Sequence, residues 1–182
     1  MWGRVAGTQT RLVMKRSSAR AAVLAGGLLL CWVGSAAAGT PGQMPVPATF
    51  AARATSICQD LKKTLDDTPV PAEVLRASAR IPGHATKAQV MLFGNFLVAH
   101  QLPVYRRAVV RAKALGVPSS GRAAWRQFVT GFDDWVSFDA RFDHQLQLGN
   151  DRIDTELRSK AALRVKAVAA LTGTVVCASV IG

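Results

Sequence analysis

RAAWRQFVTGFDDWVSFDARFDHQLQL, residues 122–148, is the stretch whose reading decides the fold. It contains six of the chain's aromatic residues: Trp125, Phe128, Phe132, Trp135, Phe138 and Phe142. With Val129, Val136 and Leu146 they recur at steps of three and four, the spacing of one helix face. Each ring contributes roughly 2–3 kcal/mol when buried, so this helix needs other helices laid over it. Asp139 and Asp143 fall inside the same stripe, one turn apart. A carboxylate pair in that position needs cationic partners. One of the two is expected to hold its proton more tightly, because like charges a turn apart resist joint ionisation.

Working outward, Ser119 or Ser120 is placed to cap this helix, and Gly149-Asn150 to end it, with Gly149 in a left-handed C-cap. A last helix follows, capped by Asp151 or Asp154, with Ile153, Leu157, Ala161, Val168 and Leu171 on its inner face. Arg164 lies on that face and Lys160 beside it. In a hairpin folded at Gly149-Asn150, position 139 stands opposite roughly 161, so Asp139 is expected to meet Lys160 or Arg164. Upstream, Arg111 falls among Val104, Ala108 and Leu115. Asp139, Asp143, Arg164, Lys160 and Arg111 therefore read as a buried salt-bridge network that fixes helix register. A polar ligand site inside the bundle is one alternative; a drift of the helix that leaves both aspartates solvated is the other.

Val90–Ala99 (VMLFGNFLVA) is apolar on nearly every side, as suits a buried helix, and too short to cross a bilayer. Pro103 predicts a kink or short break before the period resumes at Val104 and runs to Leu115, where Gly116-Val117-Pro118 stops it. An earlier helix, capped by Thr49, carries Phe50, Ala54, Ile57, Leu61 and Leu65 and ends at Asp66-Asp67-Thr68-Pro69. Pro71 opens a short helix over Ala72–Arg80, stopped by Pro82-Gly83. Nothing alternates with a period of two. The reading is all-α: an antiparallel four-helix bundle over residues 49–182, with a short extra helix and a kinked second helix, preceded by an N-terminal signal helix.

Residues 1–38 have the pattern of a signal peptide. Arg4, Arg11, Lys15, Arg16 and Arg20 precede an apolar run, Ala21–Gly34, and Ser35–Ala38 (SAAA) offers a cleavage site after Ala38. Retention of that run as a membrane anchor is the alternative. Residues 39–48 (GTPGQMPVPA) form a Pro/Gly spacer. Cleavage lowers the 23 basic residues to 18 against 11 acidic, and the net charge from +12 to +7. Cys31 leaves with the leader, and Leu28-Leu29-Leu30 before it does not make a lipidation box. Cys58 and Cys177 remain. In an oxidising compartment they read as a structural disulfide closing a loop of about 120 residues, worth nearly 5 kcal/mol in the chain-entropy account. Two ordinary buried thiols are the other reading.

Three segments together carry a resemblance: FAARATSIC (50–58), ALGVPSSG (114–121) and AALTGTVVCA (169–178), the last with a glycine four residues before its cysteine. In these the chain resembles small secreted and lipid-anchored helical proteins of high-GC Gram-positive bacteria, over roughly Phe50 to Ala178. The resemblance implies a helical bundle with a Cys58–Cys177 bridge and brings no catalytic signature. The chain departs from it in lacking a lipidation box.

Catalytic motifs are absent: no HExxH, CxxC, Glu-x-x-His, Gly-x-Ser-x-Gly or phosphate-binding glycine loop occurs. The expected role is therefore non-enzymatic, binding or scaffolding at the cell envelope, with no cofactor. For an exported protein, an anionic cell-wall polymer or membrane lipid suits the basic surface better than nucleic acid does; the sequence names no partner protein. A carrier of an apolar or amphipathic molecule is an alternative, with Phe93, Phe96, Phe132 and Trp135 lining its pocket. A hydrolase or metalloprotein built on Asp139, Asp143 and His144 is another.

Overall fold

The computed structural model describes residues 44–81, 83–152 and 155–181, and every regular element among them is helical. The expected signal peptide, the start of the spacer, and the roles assigned to Pro82, Ile153 and Asp154 lie outside the described residues.

Helix α1 (Ala48–Asp66) buries Ala54, Ile57, Cys58 and Leu61 along one side. Pro47 rather than Thr49 occupies its N-cap, and its carbonyl accepts from the Ala51 N–H at 2.9 Å. The ring has already fixed φ near its helical value, at −57°. The short α2 (Ala72–Ser78) buries Val74 and Ala77 and packs on α3 (Lys87–Phe96). That helix starts three residues before the apolar run suggests. Thr86 and Gln89 form a reciprocal capping box there: the Thr86 hydroxyl accepts from the Gln89 N–H, and the Gln89 side chain accepts from the Thr86 N–H.

The break expected at Pro103 is a π-helical turn, Leu97–Gln101, in which the Leu102 N–H reaches back to the Leu97 carbonyl. The wider turn keeps the preceding carbonyls clear of the proline ring, so α3 continues directly into α4 (Leu102–Ala114).

The aromatic helix is α5 (Arg122–Gln147). Neither serine caps it. Gly121 holds that position at φ 67°, where a side chain would meet the backbone of Pro45 and Val46. Ser120 instead donates to the Pro45 carbonyl at 3.2 Å. At the other end Gly149 takes the expected left-handed conformation. Its N–H bonds to Leu146 and that of Asn150 to Gln145, the paired bonds of a Schellman cap.

Helix α6 (Glu156–Thr172) lies against α5, and α7 (Val175–Val180) turns back onto α1. Cys177 sits on this separate short helix, beyond a break at Gly173. It is bonded to Cys58 with an S–S distance of 2.01 Å, so the disulfide joins α1 to the last helix. Hydroxyls close the same end: Thr55 donates to the Gly173 carbonyl at 2.7 Å, and the buried Thr172 and Thr174 hydroxyls are 2.7 Å apart.

One core cluster lies among α1, α4, α5, α6 and α7, and a smaller one unites α2, α3 and the C-terminal end of α5. Rings form the spine of the larger cluster: Phe50, Trp125, Phe128 and Phe132 are in successive contact, with centroids 4.8, 5.2 and 5.7 Å apart. Phe138 and Phe142 are only partly covered, each lying under an arginine. No helix among the described residues is long and apolar enough to cross a membrane.

Candidate functional site

The α5–α6 seam fixes the polar residues. Alanines and valines on α6 (Ala161, Ala162, Val165, Val168, Ala169) are buried against α5, where Gly131 leaves Val165 and Arg164 room to approach closely. Leu157, expected inside, is 53% exposed, because α6 carries apolar residues on every side and its period alone does not select a face.

Asp139 and Asp143 are both buried, at 6% and 2% exposure. The partner of Asp139 is Arg158, whose Nε donates to Oδ1 at 2.6 Å. The guanidinium also lies over Trp135 and Phe142, 5.1 and 5.5 Å from the ring centroids, so one side chain neutralises a carboxylate and covers two rings. On α4, Tyr105 meets Trp135 edge-on at 4.9 Å.

The three cations expected here lie on the surface instead. Lys160 pairs with Glu156 along α6 at 2.5 Å, Arg164 with Asp134 at 3.0 Å, and Arg111 with Asp60 of α1 at 2.8 Å. The register explains this. The last turn of α5 projects past α6 and packs on α3: a β-carbon at Gly94 would lie 2.5 Å from the Gln147 nitrogen. With that turn taken by α3, residue 158 rather than 161 comes opposite residue 139. Asp151, one of the expected caps of α6, instead accepts from the Gly83 N–H at 3.0 Å.

Burial raises the pKa of Asp139, against the opposing pull of Arg158. Burial and the neighbouring Asp139 push Asp143 up to about 8. Among the described residues no hydrogen-bond or ion-pair partner touches Asp143. Both shifts favour a shared proton in the pair, and Arg158 beside Asp139 makes Asp143 the favoured holder. Burial, reinforced by Asp139, pushes Tyr105 up to about 12. This is a proton store sealed inside a helix seam, and at 2% exposure Asp143 offers a substrate no contact surface.

His144, next in sequence to Asp143, faces solvent and lies 3.5 Å from Gln147. His100 is exposed and rests on Phe96, with centroids 4.9 Å apart. No group of three or more His, Cys, Asp or Glu among the described residues is placed to hold a metal ion. The four residues expected to line one pocket divide between the two cores: Phe132 and Trp135 belong to the larger, Phe96 and the partly covered Phe93 to the smaller.

Comparison with known proteins returns no match. No family model, curated protein or solved structure is significantly similar to the chain. Its function has to be read from its own chemistry. The sequence alone does not single out Arg158 or Tyr105 as neighbours of the two aspartates. Tyr105, the chain's single tyrosine, follows Val104 on the inner side of its helix. Arg158 becomes visible only once the overhang of α5 is known.

Proposed function

We propose that this is an exported, non-enzymatic helical protein that acts at the cell envelope by binding or scaffolding. The observation that carries the reading is the Cys58–Cys177 bridge between two cysteines buried to 1% and 0% exposure. Such a bond persists in oxidising compartments, and the chain begins with the charge and hydropathy pattern of an export signal. The excess of basic over acidic residues after that signal favours an anionic partner. The polar cluster supports a structural role for Asp139, Asp143 and Arg158, since ionic and aromatic partners enclose it.

Mass spectrometry of protein recovered from the producing cell tests this. The expected product begins at Gly39, carries an oxidised Cys58–Cys177 pair, and is found outside the cytoplasm. Full-length chain in the cytoplasm with Cys58 and Cys177 as free thiols would refute the reading.

A further inference from the structure

We propose that the groove between α1 and α4 binds the phosphate headgroup of an anionic membrane lipid. This rests on the envelope reading above and names its partner. Two adjoining hollows, about 90 and 340 Å³, share Ile57 and Arg111. The narrower has an apolar floor of Ile57, Leu61, Val104 and Ala108. Around the pair stand three arginines: Arg53 at the wider end, Arg107 at the narrower, and Arg111 between them.

The only acidic residue lining either hollow is Asp60, already engaged by Arg111 at 2.8 Å. Arg53 and Arg107 have no acidic partner among the described residues. The groove therefore presents positive charge above apolar surface. A guanidinium matches a phosphate with two parallel hydrogen bonds.

The floor decides between anionic partners. A hydrated wall polymer would satisfy the arginines and leave the floor wet. A neutral apolar molecule would cover the floor and leave the arginines unmatched. A lipid with a phosphate head and an acyl shoulder satisfies both. Elsewhere on α4, Val110 stands 65% exposed and Arg106 is also exposed, a mixture of basic and apolar side chains that suits a membrane interface.

The test titrates the processed protein, as recovered from the producing cell, with dihexanoyl phosphatidylglycerol below its micelle concentration, following the Ile57 methyl resonance. Dihexanoyl phosphatidylcholine and a glycerol-phosphate polymer are titrated in parallel. Saturable shifts with phosphatidylglycerol alone are expected. Arg53→Gln with Arg107→Gln should weaken them about tenfold. Arg76→Gln with Arg80→Gln, an equal charge change away from the groove, should leave them intact. Ser56→Glu, adding a repelling charge at the open end, should reproduce the loss should the double variant fold poorly.

Equal losses from both double variants would overturn the site, leaving only general charge attraction. Equal shifts with phosphatidylcholine would overturn the headgroup assignment. Shifts with the polymer but not the phospholipid would overturn the lipid while leaving envelope binding in place. No shift with any of the three would overturn the groove altogether, and recovery from the producing cell would then judge the envelope reading separately.

Discussion

Two helix seams in this molecule carry the same charge pair in different surroundings. Between α5 and α6, Arg158 and Asp139 meet at 2.6 Å, with the carboxylate side chain 8% exposed and the guanidinium 32%. Between α1 and α4, Arg111 and Asp60 meet at 2.8 Å with both side chains about half exposed. The first pair lies over two rings and beside a second carboxyl; the second lies at the edge of an open groove. Burial rather than distance sets what each is worth. A buried ion needs its partner, whereas water replaces a surface partner at almost no cost.

The largest effect should come from the covalent bond that holds α1. Replacing Cys58 and Cys177 together with serine should cost about 2–5 kcal/mol in urea denaturation. A loss below about 1 kcal/mol would mean that α1 is held by packing alone, and the contrast between the seams would weaken.

Arg158→Met comes next. It leaves Asp139 buried without a cation and should cost about 3 kcal/mol at neutral pH, the low end for a broken buried pair because the guanidinium is partly solvated. The same denaturation experiment on Arg111→Gln should show a change within about 0.5 kcal/mol. Similar losses from the two would erase the distinction drawn here.

A smaller effect distinguishes the sealed seam by pH. Burial, reinforced by Asp139, pushes the Asp143 carboxyl up to about 8 in the folded protein, against about 4 in an unfolded chain. Between those values the folded state holds the extra proton, so this group's contribution to stability is full below about pH 4 and is lost as pH rises to about 8. The slope should approach, at most, 1.4 kcal/mol per pH unit, as an order-of-magnitude ceiling for one proton. Asp143→Asn should flatten it, with a higher melting temperature than the wild type at pH 8. A wild-type profile that rises from pH 5 to 8 and is unchanged in the variant would contradict this assignment.

What could be read in the sequence, and what could not, follows the difference between local and long-range information. The aromatic period of 122–148, the proline at 103, the glycine at 149 and the widely spaced cysteines are local or compositional signals, and the helices, the π turn, the left-handed cap and the disulfide correspond to them. The burial of Asp139 and Asp143 was also legible, because it depends only on the face of one helix. Their partner was not. It depends on how far α5 projects beyond α6, where its last turn packs on α3 at Gly94, some 50 residues away in the chain. The Thr86–Gln89 box was present as Thr-x-x-Gln but lay ahead of the apolar run used to place that helix.

The sealed character of the α5–α6 seam is what separates it from the groove between α1 and α4. Carbon-detected NMR titration of the Asp143 carboxyl in the intact protein measures it most directly. A midpoint near pH 8 is predicted, and a midpoint near pH 4 would show a solvated carboxylate and a seam open to water.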